Sequence, residues 1–227
     1  MSAATGGGDS KEYLARLTPA EVTAFERCGR RSQWKRGATL FSEGDPSDWV
    51  VALRSGRVKV SSFTDQGTEV VLAIRGPDAL VGELSAIDSQ PRSATVSALE
   101  PVAGIVISVA EFTGFLRSHP RAAVCLMQMV SDRLRDADRK RIEFGSSDAL
   151  GRVAGRLVEL AERFGATTQD GIRIALPLSQ QELAGWIGCS RDAVAKALRV
   201  LRDRGWIDTQ RRQITVRDVA ALRDQAR

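Results

Sequence analysis

Two short stretches of this chain carry residue types whose spacing could do chemistry. In the first, Gly82-Glu83-Leu84 is followed by Pro91-Arg92-Ser93-Ala94. A glycine lets backbone approach a ligand closely, and a carboxylate accepts hydrogen bonds from hydroxyls. An arginine beside a serine can fork onto a phosphate, whose charge is best met by several planar donors. Together they make an anion clamp with a sugar acceptor. The plainer alternative is a glycine turn, a surface glutamate and an arginine in a hairpin loop.

In the second stretch, Ser190 can cap a helix whose first two turns present Arg191, Asp192 and Lys196 on the side away from Val194, Ala197, Leu198 and Leu201. Arg and Lys suit the N7 and O6 acceptors of guanine, and Asp can accept from cytosine N4, so a G·C-containing half-site is expected. Gln180, Ser190, Arg199 and Arg211 or Arg212 would hold phosphates and set register. The charge agrees: residues 146–227 hold 14 Lys/Arg against 10 Asp/Glu, a net of +4 that leaves only +1 of the chain's +5 for the rest. A basic excess of this kind fits a phosphate backbone; a merely solvated basic helix is the alternative.

The elements that must position these residues change period along the chain. Thr18-Pro19-Ala20-Glu21 is a capping box opening a helix. Turn signals then recur at Gly37, Gly44-Asp45, Gly56, Gly67 and Gly76-Pro77, and runs such as Val50-Val51-Ala52-Leu53 and Val102-Ala103-Gly104-Ile105-Val106-Ile107 are β-rich and too short for helices. An all-β barrel or sandwich follows, and the lack of βαβ alternation excludes a parallel nucleotide-binding sheet. From Pro120, the residues Ala123, Met127, Val130, Leu134, Ala137, Arg141 and Phe144 repeat at 4-3-4-3 spacing, the seam of a long helix that pairs with its twin. Ordinary packing against its own barrel is the alternative, and Arg141 in a core slot predicts loosening toward the end.

After a cap at Ser147 or Asp148 comes an amphipathic helix ending near Phe164-Gly165. Ser179-Gln180-Gln181-Glu182 is a second capping box, Gly188 ends its helix and Ser190 starts the next, which makes a helix-turn-helix with Ala184 and Val194 in the crevice. Trp206 to Val216 reads as a two-stranded hairpin with a basic tip, giving a winged version.

Other chemistries find little support. Cys28, Cys125 and Cys189 are scattered and His119 is alone, so neither a disulfide framework nor a metal site is expected. No nucleophile–histidine set, phosphate-cradling loop or paired carboxylates point to an enzyme. No apolar run approaches the roughly 18 residues of a membrane span, and the start reads as a flexible tail without a secretion signal, so a cytoplasmic location is expected.

The G-E-L…P-R-S-A cassette, together with Leu178-Ser179-Gln180-Gln181-Glu182-Leu183-Ala184 and Gly188-Cys189-Ser190-Arg191-Asp192-Ala193-Val194, resembles the cyclic-AMP receptor (CRP/FNR) family of bacterial transcription regulators from about Leu14 onward. The resemblance implies an α+β protein: a tail over 1–10, a cyclic-nucleotide-binding β-roll (jelly-roll-like) over 11–118, a dimerisation helix over 119–145 and a winged helix-turn-helix over 146–227. It implies a homodimer through residues 120–144 on a pseudo-palindromic DNA operator, with RNA polymerase as a further partner and no membrane. Two recognition helices would then enter successive major grooves of the operator. Candidate ligand contacts are Gly82, Glu83, Leu84, Arg92, Ser93, Ala94, Leu72 and Asp138. Candidate DNA contacts are Gln180, Ser190, Arg191, Asp192, Lys196, Arg199, Arg211 and Arg212.

Two departures matter. Asp192 and Lys196 stand where Glu and Arg are usual; the one is a methylene shorter and the other cannot chelate bidentately, so the operator drifts or weakens. Ala137 and Asp138 stand where cyclic-AMP-responsive members place hydroxyl or amide groups on the adenine. The expected ligand is cyclic AMP without a metal cofactor, the alternative being another cyclic nucleotide or dinucleotide (cyclic GMP, cyclic di-GMP), or none. Ligand would re-aim the DNA-binding domain through a hinge near Gly145-Ser146-Ser147-Asp148.

Overall fold

The fold is described from a computed structural model over residues 11–175, 180–210 and 213–226. It divides into two compact units, one comprising residues up to Val58 with Arg75–Asp138, the other Lys59–Ile74 with the chain from Arg139 onward.

The first unit opens with α1 (Tyr13–Arg16) and α2 (Pro19–Arg27), the latter held by the expected capping box of Thr18 and Glu21. Strands β1 (Arg30–Trp34), β2 (Thr39–Phe41) and β3 (Trp49–Ser55) follow. Next in the chain come β4 (Val58–Phe63) and β5 (Glu69–Arg75), neighbouring strands turned at Gly67, which has φ +74°. β6 (Leu80–Val81), α3 (Glu83–Asp88), β7 (Thr95–Ala98), β8 (Val102–Ser108), α4 (Val109–Ser118) and α5 (Pro120–Ser146) complete this part of the chain. One antiparallel sheet runs β1-β8-β3-β6, with Arg30 opposite Val106 and Val51 opposite both Val106 and Val81. β2 pairs antiparallel with β7.

The core of this unit is aromatic at one end. Phe25 sits edge-on to Tyr13, Phe112 and Phe115 at centroid distances of 5.9, 6.3 and 5.2 Å. Ala122, Cys125, Leu126 and Met129 of α5 join the same cluster, so one face of the long helix is committed to its own barrel. His119 ends α4, its ring stacked on Phe115 at 4.4 Å and its Nδ1 3.0 Å from the Phe115 carbonyl, a structural role.

In the second unit, Asp148 caps α6 (Ala149–Phe164) by accepting from Gly151 N–H. Strands β9 (Gly165–Thr168) and β10 (Gly171–Ala175), helices α7 (Gln180–Ile187) and α8 (Arg191–Asp203), strands β11 (Ile207–Gln210) and β12 (Gln213–Val216), and α9 (Val219–Gln225) follow. The wing is larger than the expected hairpin: β11-β12-β10-β9 form a four-stranded sheet. The missed signal was the Asp170-Gly171 turn between β-branched residues, a hairpin signature. Ala184, Ile187, Val194, Ala197 and Leu201 are all buried, which fills the crevice between α7 and α8. Ser179, half of the second capping box, lies outside the described residues. Among the described residues, no helix is long and apolar enough to cross a membrane.

Candidate functional site

Gly82 is the left-handed N-cap of α3, with φ +81°. A Cβ there would collide with the Arg92 guanidinium, so what the glycine admits in this structure is Arg92 itself. Arg92 is 2% exposed rather than displayed on a loop. Its Nη1 donates to the Gly82 carbonyl at 3.0 Å and its Nη2 to the Trp49 carbonyl at 2.5 Å. The guanidinium lies 4.2 Å from the Phe41 ring centre and 4.9 Å from that of Trp49. Its Nε is buried without a hydrogen-bond partner among the described residues. Burial pulls its pKa below the usual value, against the charges of Asp48, Glu83 and Asp45. Among the described residues this buried cation donates to two neutral carbonyls and leaves a donor unused, which gives it unmet capacity for an anion. The plainer reading, a solvated surface arginine, does not fit this geometry.

Glu83 begins α3 and is 4% exposed. Its Oε1 accepts from Arg133 Nη1 at 2.7 Å, while Arg133 Nη2 donates to the Leu80 carbonyl at 2.9 Å and reaches Glu12 at 3.5 Å. Arg133 is the partner of Glu83 that the sequence did not single out. The signal was available in the buried row Ala122, Leu126 and Met129 of α5, whose next step of four is Arg133. Of the remaining candidates, Ala94 is buried, Ser93 and Leu84 are exposed, and all three sit with Gly82, Glu83 and Arg92 in the first unit. Asp138 is exposed on α5, and Leu72, 46% exposed on β5, belongs to the second unit.

Five of the eight candidate DNA contacts, Ser190, Arg191, Asp192, Lys196 and Arg199, lie on α8 and its cap. Ser190 caps α8 by accepting from Ala193 N–H, after a turn in which Gly188 has φ +69°. Arg191, Asp192, Lys196 and Arg199 are exposed, while Val194, Ala197 and Leu201 face inward. Gln180 opens α7; Arg211 and Arg212 lie outside the described residues.

Residues 31–119 match the cyclic nucleotide-binding domain, and residues 151–225 match the Crp-like helix-turn-helix domain. Over 222 residues, the chain is 31% identical to the CRP-like cAMP-activated global transcriptional regulator of Mycobacterium tuberculosis, covering 95% of this chain and 99% of that protein. The chain belongs to the CRP/FNR family. It is also 31% identical to the global nitrogen regulator of Synechocystis over 92% of this chain and 90% of that one. In fold it is similar to the c-di-GMP responsive global regulator CLP of Xanthomonas campestris, with TM-score 0.78 and 23% identity over 88% of this chain and all of that one. A CooA mutant of Carboxydothermus hydrogenoformans gives the same TM-score at 21% identity, over 97% of each chain. As a CRP/FNR member, the chain is a ligand-responsive, DNA-binding transcription factor with an N-terminal nucleotide-binding β-domain, a long helix and a C-terminal helix-turn-helix. The relatives that cover it are transcription regulators.

Proposed function

We propose that this CRP/FNR protein is a cytoplasmic, non-enzymatic regulator that binds cyclic AMP and a pseudo-palindromic operator as a homodimer. The observation that carries the ligand half is Arg92, a buried guanidinium with an unused Nε beneath Gly82. In this reading the ligand phosphate is held by Arg92 and Ser93 and its ribose by Glu83, with Gly82, Leu84 and Ala94 shaping the pocket. Because Glu83 is already paired with Arg133, a ribose hydroxyl must share that carboxylate, and this ties the ligand to α5. Leu72 and Asp138 would meet the base. The cyclic-AMP assignment is supported by the cAMP-activated regulator of Mycobacterium tuberculosis that the chain resembles over almost its whole length.

A second reading, another cyclic nucleotide or dinucleotide, is favoured by one observation: Ala137 offers no hydrogen bond, and the exposed Asp138 is acceptor-only when ionised. Dimerisation is supported by Met127 and Leu134, seven residues apart on α5 and 61% and 63% exposed, on the opposite side from its barrel-facing row. Arg191, Asp192 and Lys196 would read bases, while Gln180, Ser190, Arg199, Arg211 and Arg212 would contact phosphates. RNA polymerase is the expected partner at the promoter, and rotation at Gly145 to Asp148 would shift the population of DNA-competent orientations.

Titration calorimetry of the full chain with cyclic AMP, cyclic GMP and cyclic di-GMP tests this. Heat with cyclic AMP, lost in Arg92→Ala, supports the reading; no heat at millimolar concentration sinks it, and heat with one of the others selects the second reading. Arg92→Ala should also abolish the effect of ligand on operator affinity while leaving salt-dependent non-specific binding intact.

A further inference from the structure

The C-terminal end of α8 is tied to the helix that follows the wing. Arg204 is the C-cap of α8, and Trp206 N–H donates back to the Leu201 carbonyl at 3.1 Å. The Trp206 carbonyl in turn accepts from Arg217 N–H at 2.8 Å and from Asp218 N–H at 3.3 Å, where the chain enters α9. At the far end of α9, Gln225 Oε1 accepts from Arg204 Nη1 at 2.7 Å, and the same guanidinium lies 4.8 Å from the Trp206 ring centre. Both ends of α9 are therefore anchored on Arg204 and Trp206, the residues that close α8.

The other side of α9 rests on α6. Leu222 is buried, and a Cβ on Gly151 would stand 3.1 Å from the Gln225 carbonyl oxygen. Four residues on, a Cβ on Gly155 would meet the Ala226 Cβ at 3.5 Å. Glycine weakens a helix interior, and at Gly151 it has a physical reason, the close approach of backbone from the last turn of α9. An ion pair from Arg223 to Glu162 at 2.6 Å also joins the two helices, but its side chains are 57% and 42% exposed and it adds little. Helix α9 thus runs as a bridge from the first turns of α6 to the end of α8.

We infer that α9 is a strut that positions the recognition helix, with Arg204 and Gln225 as its positioning residues. A helix held only along its apolar face can pivot on that face, and pinning its last turn to α6 through α9 removes this freedom. Hydrogen bonds to base edges demand close placement of side chains, whereas attraction to phosphates does not. The strut therefore bears on how Arg191, Asp192 and Lys196 read sequence rather than on how strongly the basic surface attracts DNA. The contacts lie within one unit; their use rests on the DNA-reading proposal above.

The test uses the full chain with Gln225→Ala, Gln225→Glu and Leu222→Ala, each checked for fold by circular dichroism. An operator duplex selected by the wild type from a random pool, and a scrambled duplex of the same composition, are titrated with each variant at one salt concentration. Gln225→Ala should bind the operator about three- to tenfold more weakly, the scale of one net hydrogen bond, and the scrambled duplex within about twofold of the wild type. Gln225→Glu, whose carboxylate still accepts from Arg204, should keep the wild-type ratio of the two affinities. Leu222→Ala, which undocks the whole strut, should lower that ratio further than Gln225→Ala does. Hydrogen exchange of the amides in 201–206 should accelerate in Gln225→Ala and not in Gln225→Glu. An unchanged ratio in Gln225→Ala, or an equal fall on both duplexes, overturns the positioning role and leaves α9 as cover for α6. If the wild type enriches no duplex from the pool, sequence-specific reading itself falls, and exchange decides the strut: acceleration in Gln225→Ala supports it and no change overturns it. Should Leu222→Ala fail to fold, the two Gln225 variants decide alone.

Discussion

At Gly82 the residue type is dictated twice, once by its left-handed backbone and once by the guanidinium pressed against it. Gly37 has the same φ of +81° with nothing within 4 Å of a built Cβ, so the pair separates the two effects. Gly37→Ala should cost about 1–2 kcal/mol, the steric penalty of a left-handed L-residue, and Gly82→Ala clearly more, by urea denaturation. Equal losses would mean that Arg92 yields freely. Gly82, Glu83 and Arg92 could be picked out in the sequence because their types and spacing are local. Their orientations could not: Arg92 faces inward because Phe41 and Trp49, from separate strands, form its walls. Arg133 was hidden for the same reason, since the residues it bonds lie 50 and 53 positions away.

Among the elements, α5 shows how one periodicity serves two surfaces. Ala122, Cys125, Leu126 and Met129 bury one face against the barrel, while Met127 and Leu134 remain exposed on the other. If α5 pairs with its twin as proposed, Leu134→Glu should give a monomer in sedimentation equilibrium without loss of thermal stability of the isolated fold, because no barrel contact is removed. A dimer that persists would assign the stripe another role. Helix α8 has a separate dependence on its cap. Ser190→Ala removes the acceptor for Ala193 N–H and should cost about 1 kcal/mol of stability, read by chemical denaturation, along with part of the operator affinity. Long helices with strong periodicity and caps were legible, whereas β9 and β10, short and set between two helices, carried the Asp170-Gly171 turn as their local signal and take their place in the sheet through the pairing of β10 with β9 and β12.

For the molecule as a whole, an ionic cluster in the second unit predicts a loss of stability in acid. Glu159 pairs with Arg156 and lies 3.6 Å from both Lys140 and Arg163, and Arg156 also holds Glu143. Burial alone would raise the Glu159 pKa, but the charges of Lys140, Arg156 and Arg163 outweigh it and hold the carboxyl below its usual value. A carboxyl depressed in the folded state stabilises above its unfolded pKa of about 4.3, and that contribution fades as pH falls through the folded value. Glu159→Gln should thus melt lower than the wild type at about pH 6, with the gap closing as the pH falls below that unfolded value; a gap independent of pH would deny the charge coupling. The sequence alone determined the order of modules, the helix period, the turns and the residue types of the clamp and of the recognition helix, since each is written in spacing over a few residues. Tertiary structure alone decided that Arg92 is buried, that Arg133 holds Glu83 and that Lys59 joins a hairpin to a helix 123 residues away. Such contacts depend on which surfaces the packed elements bring within a few ångströms, and no local pattern encodes that.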